Sequence, residues 1–89
     1  MKALERHRHF EKHFLNRITP NQKFVKEFEK RLALFLNGHR GYPLNDHALS
    51  GKLAGKRAFS VTNNIRVIYI ETAETIILLD IGSHNQVYR

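Results

Sequence analysis

An α+β fold is predicted, with an N-terminal helical hairpin packed on a small twisted antiparallel sheet. Three observations predict it. Phe24, Phe28, Leu32 and Phe35 recur at helical spacing in the first half. Beyond Gly55 the apolar residues fall in strand-length blocks, some alternating and some continuous. The turns between those blocks are too short for crossovers, so the strands must form an antiparallel meander.

The elements follow in order. Met1 to about Arg8 is short and polar, and reads as an edge strand or a frayed start. Phe10 and Phe14, four apart, belong to a short helix that forms the first arm of the hairpin. Thr19 is placed as the N-cap of the second arm, with Pro20 at its first helical position. Val25, Leu34 and Leu36 broaden the apolar stripe of that helix, and Asn37-Gly38 ends it. His39 to Gly55 is punctuated by Gly41, Pro43, Asn45, Asp46, Ser50 and Gly51, and reads as loop. Ala58–Thr62, Ile65–Ile70 and Thr75–Ile81 are three strands, joined through Asn63-Asn64 and through Glu71–Glu74. The third is the most apolar and is placed centrally.

Composition narrows the function classes. Eighty-nine residues make one domain, 1–89, with a modest core and no separate cofactor module. A hydrophobic content of 42% supports folding. With no cysteine there is no disulfide or thiolate metal site, and a reducing cytoplasm is the expected setting. No apolar run approaches the ~20 residues of a membrane span, and the N-terminus lacks a signal-peptide core. The net charge of +7 calls for a polyanionic or acidic partner. That charge is uneven: residues 1–57 hold 13 Lys/Arg against 5 Asp/Glu, and residues 58–89 hold 2 against 3. The basic surface therefore belongs to the helices and to the loop around Lys52, Lys56 and Arg57.

Two histidines stand out from this background. His84 follows Gly82 at the end of the last strand, with Tyr88 four residues later, and His47 precedes Leu49-Ser50-Gly51. The structural alternatives are a turn cap for His47 and a packing role in the terminal segment for His84. Brought together with Arg57 and Arg66, they would make a metal-free site for cutting RNA. Such a site needs a base for the 2′-hydroxyl proton, an acid for the leaving 5′-oxygen, and cations for the phosphate. Histidine titrates near neutrality and suits either proton role, while the arginine fork holds two phosphate oxygens. His7, His9 and His13 also cluster, but with only Glu5 and Glu11 nearby no metal site is expected.

The residues resemble a known family. Asp46-His47-Ala48-Leu49-Ser50-Gly51, the basic loop to Arg57, the strand Asn64–Tyr69, and Ile81-Gly82-Ser83-His84 before a terminal aromatic look like the RelE/ParE superfamily of type II toxins, in its YafQ-like branch. The resemblance implies an mRNA endoribonuclease acting in the ribosomal A site without a cofactor, neutralised by a cognate antitoxin. By that resemblance His47 is the base and His84 the acid, with the two roles exchangeable, and Arg66 contacts the phosphate. Arg57 is a second phosphate contact. Tyr88 stacks on a base or touches the phosphate, and Lys52 and Lys56 contact the backbone. The antitoxin is expected over Arg57, Arg66 and His84. Ser60 stands where members of the branch carry a histidine, and Asn64 and Ile65 where they carry an acidic residue and a tryptophan. ParE-type relatives poison DNA gyrase without cutting nucleic acid, which gives the alternative; a basic nucleic-acid-binding domain without toxicity is a third.

Overall fold

The computed structural model describes residues 2–88. Strand β1 (Ala3–Arg6) leads to helix α1 (Arg8–His13), a π-type turn (Phe14–Ile18) and helix α2 (Gln22–Leu36). The two-residue strand β2 (His47–Ala48) and a single 3-10 turn (Gly51–Leu53) follow. The meander of β3 (Arg57–Ser60), β4 (Ile65–Glu71) and β5 (Thr75–Ser83) ends in helix α3 (His84–Val87). The sheet order is β1-β5-β4-β3-β2.

The meander is antiparallel as expected, and β5 lies inside the sheet. β1 corrects the picture of a purely antiparallel sheet. It pairs with β5 in parallel, Ala3 opposite Thr75 and Arg6 opposite Leu78, so the sheet is mixed. Between the expected edge strand and frayed start, the edge strand is what forms.

Asn21, not Thr19, caps α2. Its side chain accepts from the amides of Lys23 and Phe24, and its extended backbone starts the helix. Thr19 is taken up by the preceding π-type turn: its amide reaches Phe14 and its hydroxyl donates to the Leu15 carbonyl at 2.6 Å. Pro20 then sits in the link between the two helical segments. Asn21→Ala is expected to cost about 1 kcal/mol. Thr19→Ala should leave the start of α2 in place. Denaturant unfolding of the two variants separates these outcomes.

The helices cover one face of the sheet. Phe10, Ile18, Phe28 and Phe35 pack there against Phe59, Val67, Tyr69, Leu78 and Ile81, all within 3% of full burial. Phe35 stacks on Phe59 at 4.6 Å between ring centres and meets Tyr69 edge-on at 4.8 Å. Each such pair adds roughly 0.5–1.5 kcal/mol beyond the area it buries. The opposite face carries a smaller cluster of Ala58, Ile68 and Val87, with Leu49, Leu79 and Tyr88 against it. α3 and the 49–53 loop only partly cover that second face.

Tyr69 gives the fold a pH limit. Burial, and then its hydrogen bond to Asp46, push its phenol well above the ordinary value of 10. A raised value in the folded state means that the contribution is fully present below the unfolded value and is lost as pH rises through the folded one. Stability should therefore decline from about pH 10 upward, and Tyr69→Phe should flatten that decline. Thermal unfolding between neutral pH and pH 11 measures it.

Candidate active site

Strand register decides which side chains share a face. Antiparallel partners point the same way and neighbours alternate. His47 pairs with Ala58, Ala58 with Ile68, and Ser60 with Arg66. These residues lie on the face opposite the helices, where Ala58 and Ile68 form the smaller cluster. Arg57 pairs with Tyr69, and Phe59 with Val67; these point to the helix side.

On the open face His47, Leu49, Lys52, Leu53 and Tyr88 line a groove of about 510 Å³. The His84 ring packs edge-on against Tyr88, with 4.5 Å between ring centres. Tyr88 thus lines the groove and also contacts His84. Its phenol oxygen is buried and has no hydrogen-bond partner among the described residues, and burial raises the phenol pKa against the opposing pull of Arg66. Arg66 is half-buried, and its guanidinium donates to the Thr62 carbonyl at 2.9 Å.

His47 is exposed, and its Nδ1 lies 3.0 Å from the Asn45 carbonyl oxygen. A carbonyl only accepts, so this bond requires the proton on Nδ1. In the neutral ring Nε2 is then left with its lone pair, the form a proton acceptor needs. The turn-capping and chemical readings of His47 are thus compatible, because one nitrogen serves each.

α3 holds His84 in place. Ser83 accepts from the Gln86 amide and the Gln86 side chain accepts from the Ser83 amide at 2.7 Å, a reciprocal capping box. The His84 amide donates to the Asn64 carbonyl at 3.2 Å, fastening the helix to the β3–β4 turn. The expected strand ended at Ile81; the structure extends it to Ser83 and adds this helix. Ser83-x-x-Gln86 was the available signal.

Gly82 is needed for the same reason. A Cβ there would lie 2.6 Å from Arg17 Nη1 and 2.7 Å from Gln86 Oε1. Arg17, which no sequence signal singled out, reaches the Ile81 carbonyl at 3.0 Å and stands 3.7 Å from Asp80. His13 Nδ1 meets the same carboxylate at 2.5 Å. The histidine cluster is used locally: His7 accepts from the His9 amide, and His13 pairs with Asp80.

Arg57 is not brought to the groove. Its Nε and Nη2 donate to Asp46 Oδ1 at 2.8 and 2.5 Å, and the Tyr69 hydroxyl donates to Asp46 Oδ2. The Asp46 side chain is fully buried, and its hydrogen bonds raise the Arg57 pKa further. Arg57, expected as a phosphate contact, is thus turned to the helix side by its register and committed to a carboxylate. Asp46, within the quoted motif but given no role there, anchors the loop that carries His47. Lys52 is exposed at the groove. Lys56 is half-buried just before β3, and its carbonyl accepts from the Leu49 amide at 2.9 Å. Ser60 is buried and opposite Arg66; Asn64 is exposed; Ile65 is in the main core.

Comparison with known proteins places this geometry in context. The family model described as a bacterial toxin of type II toxin–antitoxin system, YafQ, matches residues 2–89. A search of the curated proteins gave no significant match. The crystal structure of YafQ from E. coli strain BL21(DE3) superposes with a TM-score of 0.85 at 19% identity, covering 100% of both chains. YafQ in the E. coli DinJ–YafQ complex gives 0.77 at 20% identity, again over 100% of both. A YoeB/ParE toxin from Agrobacterium tumefaciens gives 0.76 at 14% identity, over 94% of this chain and 99% of that one. At these identities the superpositions speak for the fold.

Proposed function

The chain belongs to the YafQ family of bacterial toxins of type II toxin–antitoxin systems, and from that premise we propose that it is a metal-independent endoribonuclease acting on ribosome-bound mRNA. The observation that carries this reading is that Tyr88 touches the surroundings of both histidines: it lines the groove with His47, and the His84 ring packs edge-on against it.

In the proposed reaction His47 Nε2 takes the 2′-hydroxyl proton while the 2′-oxygen attacks phosphorus. The bond to the 5′-oxygen breaks, and protonated His84 supplies the proton to that leaving oxygen. The products are a 2′,3′-cyclic phosphate and a free 5′-hydroxyl. Arg66 stabilises charge on the phosphate, the work that preorganised donors do best. Tyr88 stacks on a base or contacts the phosphate. Lys52 and Lys56 hold the RNA backbone without reading sequence. Arg57 acts indirectly, by fixing Asp46 and through it the His47 loop.

YafQ of E. coli forms a toxin–antitoxin complex with DinJ. By the same logic this chain is neutralised by a cognate antitoxin whose acidic or amphipathic segment covers Arg66 and His84, in the cytoplasm where ribosomes are found. No described helix is long and apolar enough to cross a membrane.

Induced expression in bacteria followed by primer extension on ribosome-bound transcripts tests the reading. New 5′ ends within minutes are expected. Intact transcripts together with a DNA-damage response would mean gyrase poisoning instead.

A further inference from the structure

A polar pocket of about 130 Å³ lies beside the groove, and the reaction proposed above leaves most of it unused. Arg31, Tyr42, Asn45, Asn63 and Arg66 are among its walls. It meets the groove at two points. The Asn45 carbonyl holds His47 Nδ1 at 3.0 Å, and Arg66, on the open face with His47, is one of the pocket's walls.

Tyr42 is 89% exposed, the most exposed large apolar side chain described. Its loop is nonetheless firmly held. Leu44 is fully buried, its amide donates to Gly41 at 2.9 Å, and its carbonyl accepts from the Ser60 amide at 2.7 Å. Arg31 Nη1 donates to the Pro43 and Ser60 carbonyls, each at 3.0 Å. An aromatic ring held out to solvent on an anchored loop is a preorganised stacking platform. Asn45 and Asn63 are exposed, and neither side-chain amide has a protein partner among the described residues. Each amide offers a donor and an acceptor side by side, the pattern that matches a base edge. No carboxylate is among the walls, and two guanidiniums are.

We propose that this pocket holds the unpaired nucleobase next to the cleaved phosphodiester, stacked on Tyr42 with its edge read by Asn45 and Asn63. The inference rests on the ribonuclease reading, and it assigns the sequence-selective contacts of that same site. Phosphate contacts by Lys52 and Arg66 would set position, and this pocket would set preference.

The test uses the whole chain and uncleavable 2′-O-methyl hexamers of adenosine, cytidine or uridine, followed by NMR and fluorescence anisotropy. Resonances of Tyr42, Asn45 and Asn63 should shift together with those of His47 and His84. Tyr42→Ala should weaken binding about 10-fold, and Tyr42→Phe should stay within about twofold of wild type, because stacking is worth roughly 1–3 kcal/mol per base. Asn63→Ala should narrow the differences between the three hexamers. Tyr42 is exposed, so these variants are expected to fold. If the histidines respond while Tyr42 and Asn63 do not, and Tyr42→Ala binds as wild type, the base pocket is refuted and the ribonuclease reading stands. If neither set responds, both are refuted. If inorganic phosphate alone reproduces the pocket shifts, the pocket is a plain anion site and the proposal is overturned.

Discussion

His84→Ala is expected to lower the rate of RNA cleavage by about 10²–10⁴-fold, the range for removing one positioned proton-transfer group. His47→Ala should do the same. The double variant should be little worse than either single one, since groups acting in one step are grossly non-additive. Folding should survive both changes, because both side chains are exposed. The residual rate is expected to come from Arg66 and from substrate binding. Growth arrest on induction gives the cellular counterpart: either single variant should relieve it. Unchanged toxicity in the double variant would remove both histidines from the mechanism. A bell-shaped dependence of kcat/KM on pH should accompany the wild-type activity, and each single variant should lose one limb.

Asp46→Ala is expected to have the largest effect on stability, about 2–3 kcal/mol. The carboxylate is fully buried and takes two bonds from Arg57 and one from Tyr69. Its removal strands a buried phenol and leaves the Arg57 guanidinium without its carboxylate. The Arg57 side chain is 39% exposed and regains some water, which keeps the cost below that of a fully buried charge. For a domain of this size the loss corresponds to a fall in Tm of about 10–20 °C. Tyr69→Phe should cost only about 1 kcal/mol, because the Arg57–Asp46 pair survives it. Thermal unfolding of both variants checks the order. Since Asp46 immediately precedes His47, the variant should also lose cleavage at temperatures where it remains folded.

Much of the fold was legible because it rests on periodicity. The stripe from Phe24 to Phe35 and the blocks 65–70 and 75–81 each fall within one element, and tertiary packing agrees with the local pattern in all three. Where the reading missed, several local rules competed or a long-range partner decided. Thr19-Pro20 and Asn21-Gln22 are both acceptable helix starts, and the π-type turn consumes the first. β1 has four mostly exposed residues, and nothing in them names β5 as a parallel partner. The capping box at Ser83-x-x-Gln86 was readable, but a helix of one turn leaves little else in a sequence.

The site divides in the same way. His47, Lys52 and Tyr88 reach one groove, His84 joins through its ring contact, and Arg66 adjoins through the pocket next to it. Arg57, read as the end of the basic loop, stood second to Arg66 as a phosphate contact. Register alone separates them: Arg66 is paired with Ser60 on the open face, and Arg57 with Tyr69 on the helix side. Arg17 came from a helix far away in sequence and was invisible without the fold. Gly82 could be placed in the family motif, yet its physical reason, the approach of Arg17 and Gln86, required coordinates.

The most direct test is cleavage of a defined single-stranded or ribosome-bound RNA by the purified protein in excess EDTA, with analysis of the new ends. The account predicts cutting at an undiminished rate, 2′,3′-cyclic phosphate and 5′-hydroxyl ends, and loss of both products in the His47→Ala and His84→Ala variants. Cleavage that stops with EDTA, or that leaves 5′-phosphate ends, would contradict it.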